Sequence, residues 1–305
     1  MSQAIRFSPG RDLQAEIRRI AGKRMCSATD TLRDLSKDPD EAVHDARKDL
    51  KKLRALLRLV RDGLGEVRYR KENRALRNAG RALADFRDAA VRVELVEKLQ
   101  ETTAGGASTE ALRMADERVT HLYELVHAKG RLRHAAKEAR KQLKRAKERI
   151  RKWRLEETAG FALFRAGLLR SYAEGRESFA RCLIHPTAGN FHEWRKQCKY
   201  LRHQLGFLKN VSPEMNLLVA ALHELSERLG ENHDQTVLAE TLEPLARQDV
   251  ALEGLAAIHE ELEGRHRGRM DESLAAGGSF FSAVPEDFIA MIGGWWAHGQ
   301  APAES

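Results

Sequence analysis

The sequence predicts an all-α fold made of two pseudo-symmetric four-helix bundles. Apolar residues recur with a helical period along most of the chain, and the alternating pattern of a β-strand is almost absent. Hydrophobic residues make up 42% of the 305 residues and charged residues 32%, with only 6% aromatic residues, as is typical of a folded protein with long surface helices. One basic segment occurs twice, which indicates an internal repeat.

Prolines and glycines mark the ends of the predicted helices, because neither residue is favourable inside a helix. Five of the seven prolines lie where a helix would begin or end: Pro9, Pro39, Pro186, Pro213 and Pro285. In the first half the predicted helices span residues 11–36, 40–61, 66–101 and 108–156. In the second half they span 159–182, 188–209, 213–231 and 235–265, with a short helix near 286–297. The predicted domain is therefore 10–265, with bundles at 10–156 and 159–265 and a C-terminal tail at 266–305.

The second predicted helix carries a row of cations on one face. Successive residues of an α-helix are separated by about 100°, so residues three, four and seven apart share a side. The row, called here the first basic block, consists of His44, Arg47, Lys48, Lys51, Arg54 and Arg58. The opposite face can pack into a core, and it consists of Val43, Ala46, Leu50, Leu53, Leu57 and Val60.

The same arrangement returns in the helix predicted at 188–209. His44 and Arg54 correspond to His192 and Arg202, shifted by 148 residues in each case. The second basic block consists of His192, Arg195, Lys196, Lys199, Arg202 and His203. A solvated helix face usually mixes acids with bases, and like charges on neighbouring turns destabilise a helix by roughly a few tenths of a kcal/mol per pair. An acid-free row that occurs twice therefore favours an anionic partner over simple solvation.

Charge is distributed unevenly along the chain. The formal net charge is +8, but residues 213–265 contain twelve acids and three bases, so the rest of the chain carries +17. Residues 134–154 contain ten bases and two acids, and they form either an extension of the anion-binding surface or a solvated linker helix. The weaker candidates for anion binding, on this helix and the preceding one, are Lys71, Arg74, Arg81, Lys137, Lys141, Lys144 and Arg145.

A looser match extends the repeat beyond the blocks. The segment around Arg87 and Asp88 is similar to the segment around His233 and Asp234, shifted by 146 residues. Enough chain separates each aspartate from the histidine of its block for a return along a neighbouring helix. Each aspartate could hold a cation of the block in place, or it could cap a helix end. Because His233 stands where the first half has Arg87, the two halves are expected to contribute unequally.

Both blocks fit the pattern His-x-x-Arg-x-x-x-Lys-x-Leu-Arg, and each is followed by a leucine-containing stretch that ends in an aspartate. This arrangement, over roughly residues 10–265, resembles the CHAD family, the conserved histidine α-helical domain. The resemblance implies two pseudo-symmetric four-helix bundles that bind inorganic polyphosphate, and an association with polyphosphate granules. The positions that match the family pattern are His44, Arg47, Lys51, Arg54, His192, Arg195, Lys199 and Arg202.

Three other functions fit parts of the sequence. Nonspecific RNA or DNA binding would use the same cations, but base stacking needs exposed aromatic residues, and only Tyr200 lies near the basic side of a block. A metal-dependent phosphohydrolase is disfavoured, since the chain has no His-Glu-x-x-His, Walker or Gly-x-Ser-x-Gly motif and cations surround each leading histidine. An interaction scaffold would pair the acidic part of one copy with the basic part of another.

The sequence thus predicts a non-enzymatic polyphosphate-binding protein without catalytic residues, metal site or cofactor. Three widely spaced cysteines, Cys26, Cys182 and Cys198, indicate reduced thiols rather than a disulfide framework. The start of the sequence lacks the apolar region of a signal peptide, and no segment has the ~20 apolar residues that span a bilayer. We therefore expect a cytoplasmic protein, located at polyphosphate granules, with no membrane partner.

Overall fold

Helices account for all regular secondary structure in the described part of the chain, which confirms the all-α prediction. The structure, a computed structural model, describes residue 7 and residues 12–102, 107–128, 130–155, 160–246 and 252–300. The first half contains α1 (Leu13–Thr31), α2 (Pro39–Leu59), α3 (Arg61–Leu64), α4 (Glu66–Ala82), α5 (Ala84–Thr102), α6 (Ala107–Val126) and α7 (Arg131–Ile150). The second half contains α8 (Ala162–Ile184), α9 (Ala188–Leu208), α10 (Pro213–Ala246), α11 (Leu252–Phe280) and α12 (Pro285–Gln300). None of these helices, as far as they are described, combines the length and apolarity of a membrane-spanning segment.

Side-chain caps fix the start of both helices that carry a basic block. The Asp38 carboxylate accepts a hydrogen bond from the backbone N–H of Glu41 (2.8 Å), and Pro39 stands in the first turn of α2. The Thr187 hydroxyl accepts a hydrogen bond from the backbone N–H of Asn190 (3.3 Å) at the start of α9. Each cap satisfies a backbone donor that has no partner within the helix. Both helices therefore begin close to the positions predicted from sequence.

Two long helices predicted in the first half are each divided, so those predictions were wrong. The helix predicted at 66–101 breaks at Leu83, where the Gly80 carbonyl accepts hydrogen bonds from the Leu83 N–H (3.3 Å) and from Arg47 Nη1 (3.0 Å). The helix predicted at 108–156 is interrupted between Val126 and Arg131. Gly130 has a φ of +91° there, in the left-handed region that glycine adopts without strain. No proline marks either break, so the sequence signal was weak.

The second half shows the opposite error, because a predicted break is absent. α10 is continuous from Pro213 to Ala246 through the position between 231 and 235 where two helices were predicted. Asn232 is buried inside this helix, where its Nδ2 donates a hydrogen bond to Ser273 Oγ on α11 (2.9 Å). Since α11 continues to Phe280, the predicted helix and domain end at residue 265 falls inside a helix.

Eight helices of the described chain pack as two rings of four. One ring consists of α1, α2, α4 and α7, and the other of α8, α9, α10 and α11, with α2 against α9 joining the two. The α5–α6 hairpin extends from the first ring and packs on α10 and α11 around a separate apolar cluster that includes Val96, Leu112 and Leu242. This topology places the two helices with basic blocks next to each other. The internal repeat itself remains a prediction.

The C-terminal helix packs into the core. Tyr172 of α8 stacks on Phe288 of α12 with ring centroids 3.8 Å apart, and Trp296 packs edge-on against Phe164 at 5.5 Å. Ile292 is completely buried. The short helix predicted near 286–297 is thus confirmed as α12. The description of 266–305 as a tail does not agree with this packing, since residues 266–280 continue α11.

Candidate functional site

The two basic blocks lie on helices that pack directly against each other. Gln204 of α9 is buried and donates from Nε2 to the carbonyl of Ala55 on α2 (3.4 Å). Tyr200 of α9 is also buried, with the guanidinium carbons of Arg58 and Arg54 lying 4.5 and 5.6 Å from its ring centroid. Blocks that are 148 residues apart in sequence therefore form one surface.

Lysines from both helices crowd together on this surface. Loss of hydration, followed by the charges of Arg47 and Arg195, lowers the pKa of Lys51 to about 8. Loss of hydration, followed by Arg195 and Lys51, lowers the pKa of Lys199 to about 7. Lys51 is exposed and Lys199 is half-buried, so the lowered pKa of each reflects a crowded surface with too little opposite charge. We call this group the central cluster, and it comprises Arg47, Lys51, Arg87, His192, Arg195, Lys199, Arg202 and His233.

Arg195 is the least neutralised arginine of the cluster. Burial lowers its pKa, while Asp234 on α10 is the strongest opposing charge. Its Nε atom is buried without a hydrogen-bond partner in the described part of the chain. Within the described residues, no acidic oxygen lies within 4 Å of the charged nitrogens of Arg195, Lys51 or Lys199. These three cations therefore have hydrogen-bonding capacity left for an anion.

Arg47 contributes to the fold as well as to the charge. Its Nη1 donates to the carbonyl of Gly80 at the end of α4 (3.0 Å), and its Nη2 lies 3.9 Å from Asp88 Oδ1 on α5. A cation at a helix C-terminus satisfies free carbonyls and the helix dipole. The break between α4 and α5 is what brings these groups over α2. Asp88 thus lies beside a cation of the block, one of the two roles considered for it from sequence.

Arg202 is held from α10. Its Nη1 lies 3.3 Å from Glu227 Oε1 and 2.6 Å from His223 Nδ1, and burial lowers its pKa despite the glutamate. Burial also raises the pKa of Asp234, against the pull of Arg195 and Lys199. The acids beside the cluster therefore orient its cations and neutralise them only in part.

Four histidines at or beside the cluster, His44, His192, His203 and His233, have a lowered pKa. Burial and then neighbouring cations lower the pKa of His44 and His192, and they lower that of His233 to about 4. His192 and His233 face each other with their Nδ1 atoms 3.4 Å apart. His203 lies beside Arg202 and Lys52, and loss of hydration lowers its pKa far below the usual range. A neutral imidazole still donates one N–H, so these rings can orient an anion without adding charge.

Arg54 and Arg58 lie at the C-terminal end of the first block, near the ring of Tyr200. Arg54 Nε donates to Asn73 Oδ1 on α4 (3.0 Å). Arg58 Nη2 forms an ion pair with Glu174 on α8 and covers the Tyr200 ring. Of these two predicted binding residues, Arg58 therefore contributes more to the packing between helices.

Lys48 and Lys196 occupy matched positions and behave alike. Both are exposed, and each pairs with the acid three residues earlier, Lys48 with Asp45 at 3.8 Å and Lys196 with Glu193. Asp45 was expected off the basic row, so the row is less free of acid than the sequence suggested. Exposed ion pairs contribute about 0–1 kcal/mol and exchange readily. Both lysines remain accessible at the rim of the central cluster.

The weaker candidates separate into two groups. Lys71, Arg74 and Arg81 are exposed on α4. Lys137, Lys141 and Lys144 line a cleft between α1 and α7, whereas Arg145 is exposed outside it. This cleft contains no residue of the central cluster. The basic helix at 134–154 therefore forms a separate surface and does not extend the first one.

Some members of the cluster were absent from the predicted site. Arg87 and His233 were noticed as matched positions but were not assigned to binding, although their shift of 146 residues was the signal that could have included them. Outside the central cluster, Lys52 was also missed from the predicted site, and loss of hydration followed by the charge of Arg24 lowers its pKa to about 8. It lies outside the predicted row because that row was drawn as a narrow stripe.

Comparison with known proteins agrees with this architecture. A model of the CHAD domain matches residues 19–243, and no match was found among curated proteins. The crystal structure of the CHAD domain from the plant Ricinus communis is similar in fold, with a TM-score of 0.67 and 19% sequence identity. That match covers 92% of this chain and 96% of the plant chain. The family model spans most of the chain, including both basic blocks and the helices that bring them together, and the chain therefore belongs to the CHAD domain family.

Proposed function

We propose that the central cluster binds inorganic polyphosphate along a basic groove over the contact between α2 and α9. The observation that carries this proposal is the meeting of Lys51, Arg195 and Lys199, three incompletely neutralised cations from two helices. A bound polyanion would supply the missing opposite charge. Membership of the CHAD family supports the same ligand.

The chemistry of the cluster suits a chain of phosphates. Arginine can grip phosphate oxygens through two parallel N–H donors, while lysine is a flexible point charge that tolerates any register. Successive helical turns repeat these groups about every 5.4 Å, so a linear polymer can meet several of them. Binding is expected to depend on release of counterions and to weaken steeply as salt increases.

Nucleic acid is the second candidate, and the positions of the aromatic residues argue against it. Tyr200, the one aromatic residue near the basic side of a block, is 7% exposed and covered by Arg58. Trp194 is completely buried. Neither ring is available for base stacking, which contributes about 1–3 kcal/mol per base in single-strand-binding proteins. A polymer without bases loses nothing at such a surface.

A hydrolytic function has less support. Asp88 and Glu227 lie beside arginines, and a cationic surrounding disfavours binding of a metal ion. In the part of the chain that the structure describes, no three histidine, cysteine or acidic side chains are grouped as a metal site. We therefore propose binding without catalysis. Targeting of the protein to polyphosphate granules in the cytoplasm would follow from that binding.

The test is a competition titration at near-physiological salt. Labelled long-chain polyphosphate is bound to the protein and challenged with single-stranded RNA or duplex DNA at equal phosphate concentration. Polyphosphate is expected to stay bound. Displacement by nucleic acid at the same phosphate concentration would overturn the proposed ligand and indicate a general polyanion surface.

A double variant connects the ligand to the cluster. Lys51→Glu with Lys199→Glu is expected to weaken polyphosphate binding about a hundredfold, roughly 1.4 kcal/mol for each reversed lysine. The control, Lys23→Glu with Arg165→Glu, makes the same change of charge at exposed positions of α1 and α8. Equal losses in the two variants would show that net charge alone, without the cluster, accounts for binding.

A further inference from the structure

A second basic site lies on the other side of the first ring. A cleft of about 1010 Å³ separates the C-terminal part of α1 and the loop after it from one face of α7. Six cations of α7 line it: Arg133, Lys137, Arg140, Lys141, Lys144 and Lys147. The volume is at the upper end of the range of about 300–1000 Å³ that is usual for small-molecule sites.

The acids that line the cleft are engaged within their own segment. Asp30 forms an ion pair with Arg33 (3.3 Å), and Asp34 accepts hydrogen bonds from the backbone N–H (3.0 Å) and hydroxyl (2.5 Å) of Ser36. Asp30 and Asp34 are the two acids in this lining, against Arg33 and the six cations of α7. The cleft therefore has a strong positive potential, which attracts anions.

The cations of α7 have few protein partners in the described chain. Lys141 lies 3.9 Å from Glu138, but no ion pair joins Lys137, Arg140 or Lys144 to any described acid. The Arg140 Nε is buried and has no hydrogen-bond partner among the described residues. A buried donor without a partner costs about 1–3 kcal/mol, so a bound acceptor would stabilise this side chain.

The dimensions of the cleft favour a short ligand. Ten residues separate Lys137 from Lys147, which is about 15 Å along the helix axis. Lys147 Nζ contacts Cys26 Sγ at 2.8 Å. Several cations within this length match a compact anion with phosphates close together, rather than a single phosphate.

We propose that the cleft between α1 and α7 binds a compact oligophosphate, a group with three or more linked phosphates, independently of the central cluster. Three ligands contain such a group of linked phosphates: inorganic tripolyphosphate, a nucleoside triphosphate, and a terminal stretch of long-chain polyphosphate. This site is additional to the proposed polyphosphate function of the central cluster and does not depend on it.

Cys26 provides a reporter inside the cleft. It lines the cavity and is partly exposed, whereas Cys182 and Cys198 are completely buried and their burial raises the pKa of both thiols. Alkylation of the native protein by N-ethylmaleimide should therefore occur first at Cys26. Tripolyphosphate at ten times its dissociation constant is expected to slow this alkylation about tenfold, because only the free fraction reacts. Absence of protection would overturn the proposal.

Matched variants on α7 and directly after it locate the site. Lys141→Glu with Lys144→Glu is expected to weaken protection of Cys26 by tripolyphosphate at least about tenfold, judged from the ligand concentration at half protection. The control, Arg145→Glu with Arg151→Glu, changes charge equally at exposed residues outside the cleft and should keep the protection. Equal losses in both variants would contradict a defined site.

The Lys51→Glu, Lys199→Glu variant separates this proposal from the previous one. In this variant tripolyphosphate is expected to protect Cys26 from alkylation as before. Loss of that protection would contradict the independence of the cleft from the central cluster. If binding of long-chain polyphosphate stays normal even after Lys141→Glu and Lys144→Glu are added to this variant, the proposed function fails, whereas protection of Cys26 in the variant without those two changes still supports the cleft. Stronger protection by ATP than by tripolyphosphate would identify a nucleoside triphosphate as the source. Stronger protection by long-chain polyphosphate would identify its chain ends.

Discussion

The basic faces of α2 and α9 have the same spacing of cations but different surroundings. Arg47 on α2 is bound at the end of α4 and lies near Asp88, whereas its counterpart Arg195 on α9 faces Asp234 without an ion pair within 4 Å in the described chain. The spacing along each helix determines which side chains face the contact. The neighbouring helices determine which of them keep charge for a ligand.

The cause of this difference lies in the helices that cover the two blocks. The chain breaks at Leu83, so α4 ends beside Arg47, whose side chain donates to the Gly80 carbonyl. α10 runs unbroken past Arg195 and offers no free helix end there. Positions matched by the predicted repeat can therefore differ, with Arg47 held by the end of α4 and Arg195 left with capacity for the proposed ligand.

Among substitutions of single residues, the largest expected effect comes from removing the two matched arginines separately. Arg195→Ala should weaken polyphosphate binding about thirtyfold, roughly 2 kcal/mol, because it removes charge-assisted hydrogen bonds to phosphate. Arg47→Ala should weaken binding less, about fivefold, and lower the free energy of unfolding by about 1.5 kcal/mol through loss of its contact with Gly80. Polyphosphate titration and urea unfolding measure the two quantities. Equal losses of affinity and equal losses of unfolding free energy in the two variants would contradict this division of roles.

The pH dependence of binding tests the two lysines. Phosphate favours the charged ammonium, so binding raises the pKa of Lys199 from about 7 and that of Lys51 from about 8, and protons are taken up. Affinity should fall at least about tenfold between pH 7 and pH 9. Calorimetry in buffers with different ionisation enthalpies measures the uptake. The pKa values of His44, His192 and His233 are lowered from the ordinary 6.5, so these rings are not expected to contribute to the change between pH 7 and pH 9.

The stability of the free protein should show the opposite trend. An unfolded lysine has its ordinary pKa of 10.5, so the folded protein binds fewer protons between about pH 7 and pH 10. These lysines therefore make the folded state more stable as the pH rises through that range. Lys199→Gln should flatten both trends. An affinity that stays constant from pH 7 to pH 9 would show that the lysines are not at the ligand.

The sequence predicted the helical faces well and their neighbours poorly. The positions of Lys51 and Lys199 on the polar faces of their helices follow from the helix period, since those positions depend on local spacing. The break at Leu83 and the continuity of α10 depend on contacts with distant residues, such as Asn232 with Ser273. The roles of Arg47 and Arg58 depend on those contacts too. Tertiary hydrogen bonds decide helix ends where no proline is present, and one sequence does not reveal them.

A smaller effect concerns stability at a position where the blocks differ. Arg58 pairs with Glu174 and covers Tyr200, while the position shifted by 148 residues on α9 is Gly206. Arg58→Ala should lower the free energy of unfolding by about 1 kcal/mol and leave binding nearly unchanged. Gly206→Ala should raise it by about as much, because alanine favours a helix and an added Cβ has no atom within 4 Å. Thermal and urea unfolding provide the comparison. A large loss of binding in Arg58→Ala would return this residue to the binding surface.

The smallest expected effect comes from making the halves more alike. His233 stands where the first half has Arg87, and because its pKa is about 4 it adds no charge at pH 7. His233→Arg should tighten polyphosphate binding about threefold, less than 1 kcal/mol, since one more cation faces the polymer. The slope of log affinity against log salt should steepen by about 0.7.

The matched control is Leu217→Arg, which adds the same charge to α10 at an exposed position. If both variants change the salt slope equally, the added charge acts through the net field of the protein. If only His233→Arg changes it, the polymer passes over His233, and the second half already contains the geometry of a binding position but lacks its charge. The two halves would then differ in polyphosphate binding because of this one side chain, since the helix that carries it already lies beside the polymer.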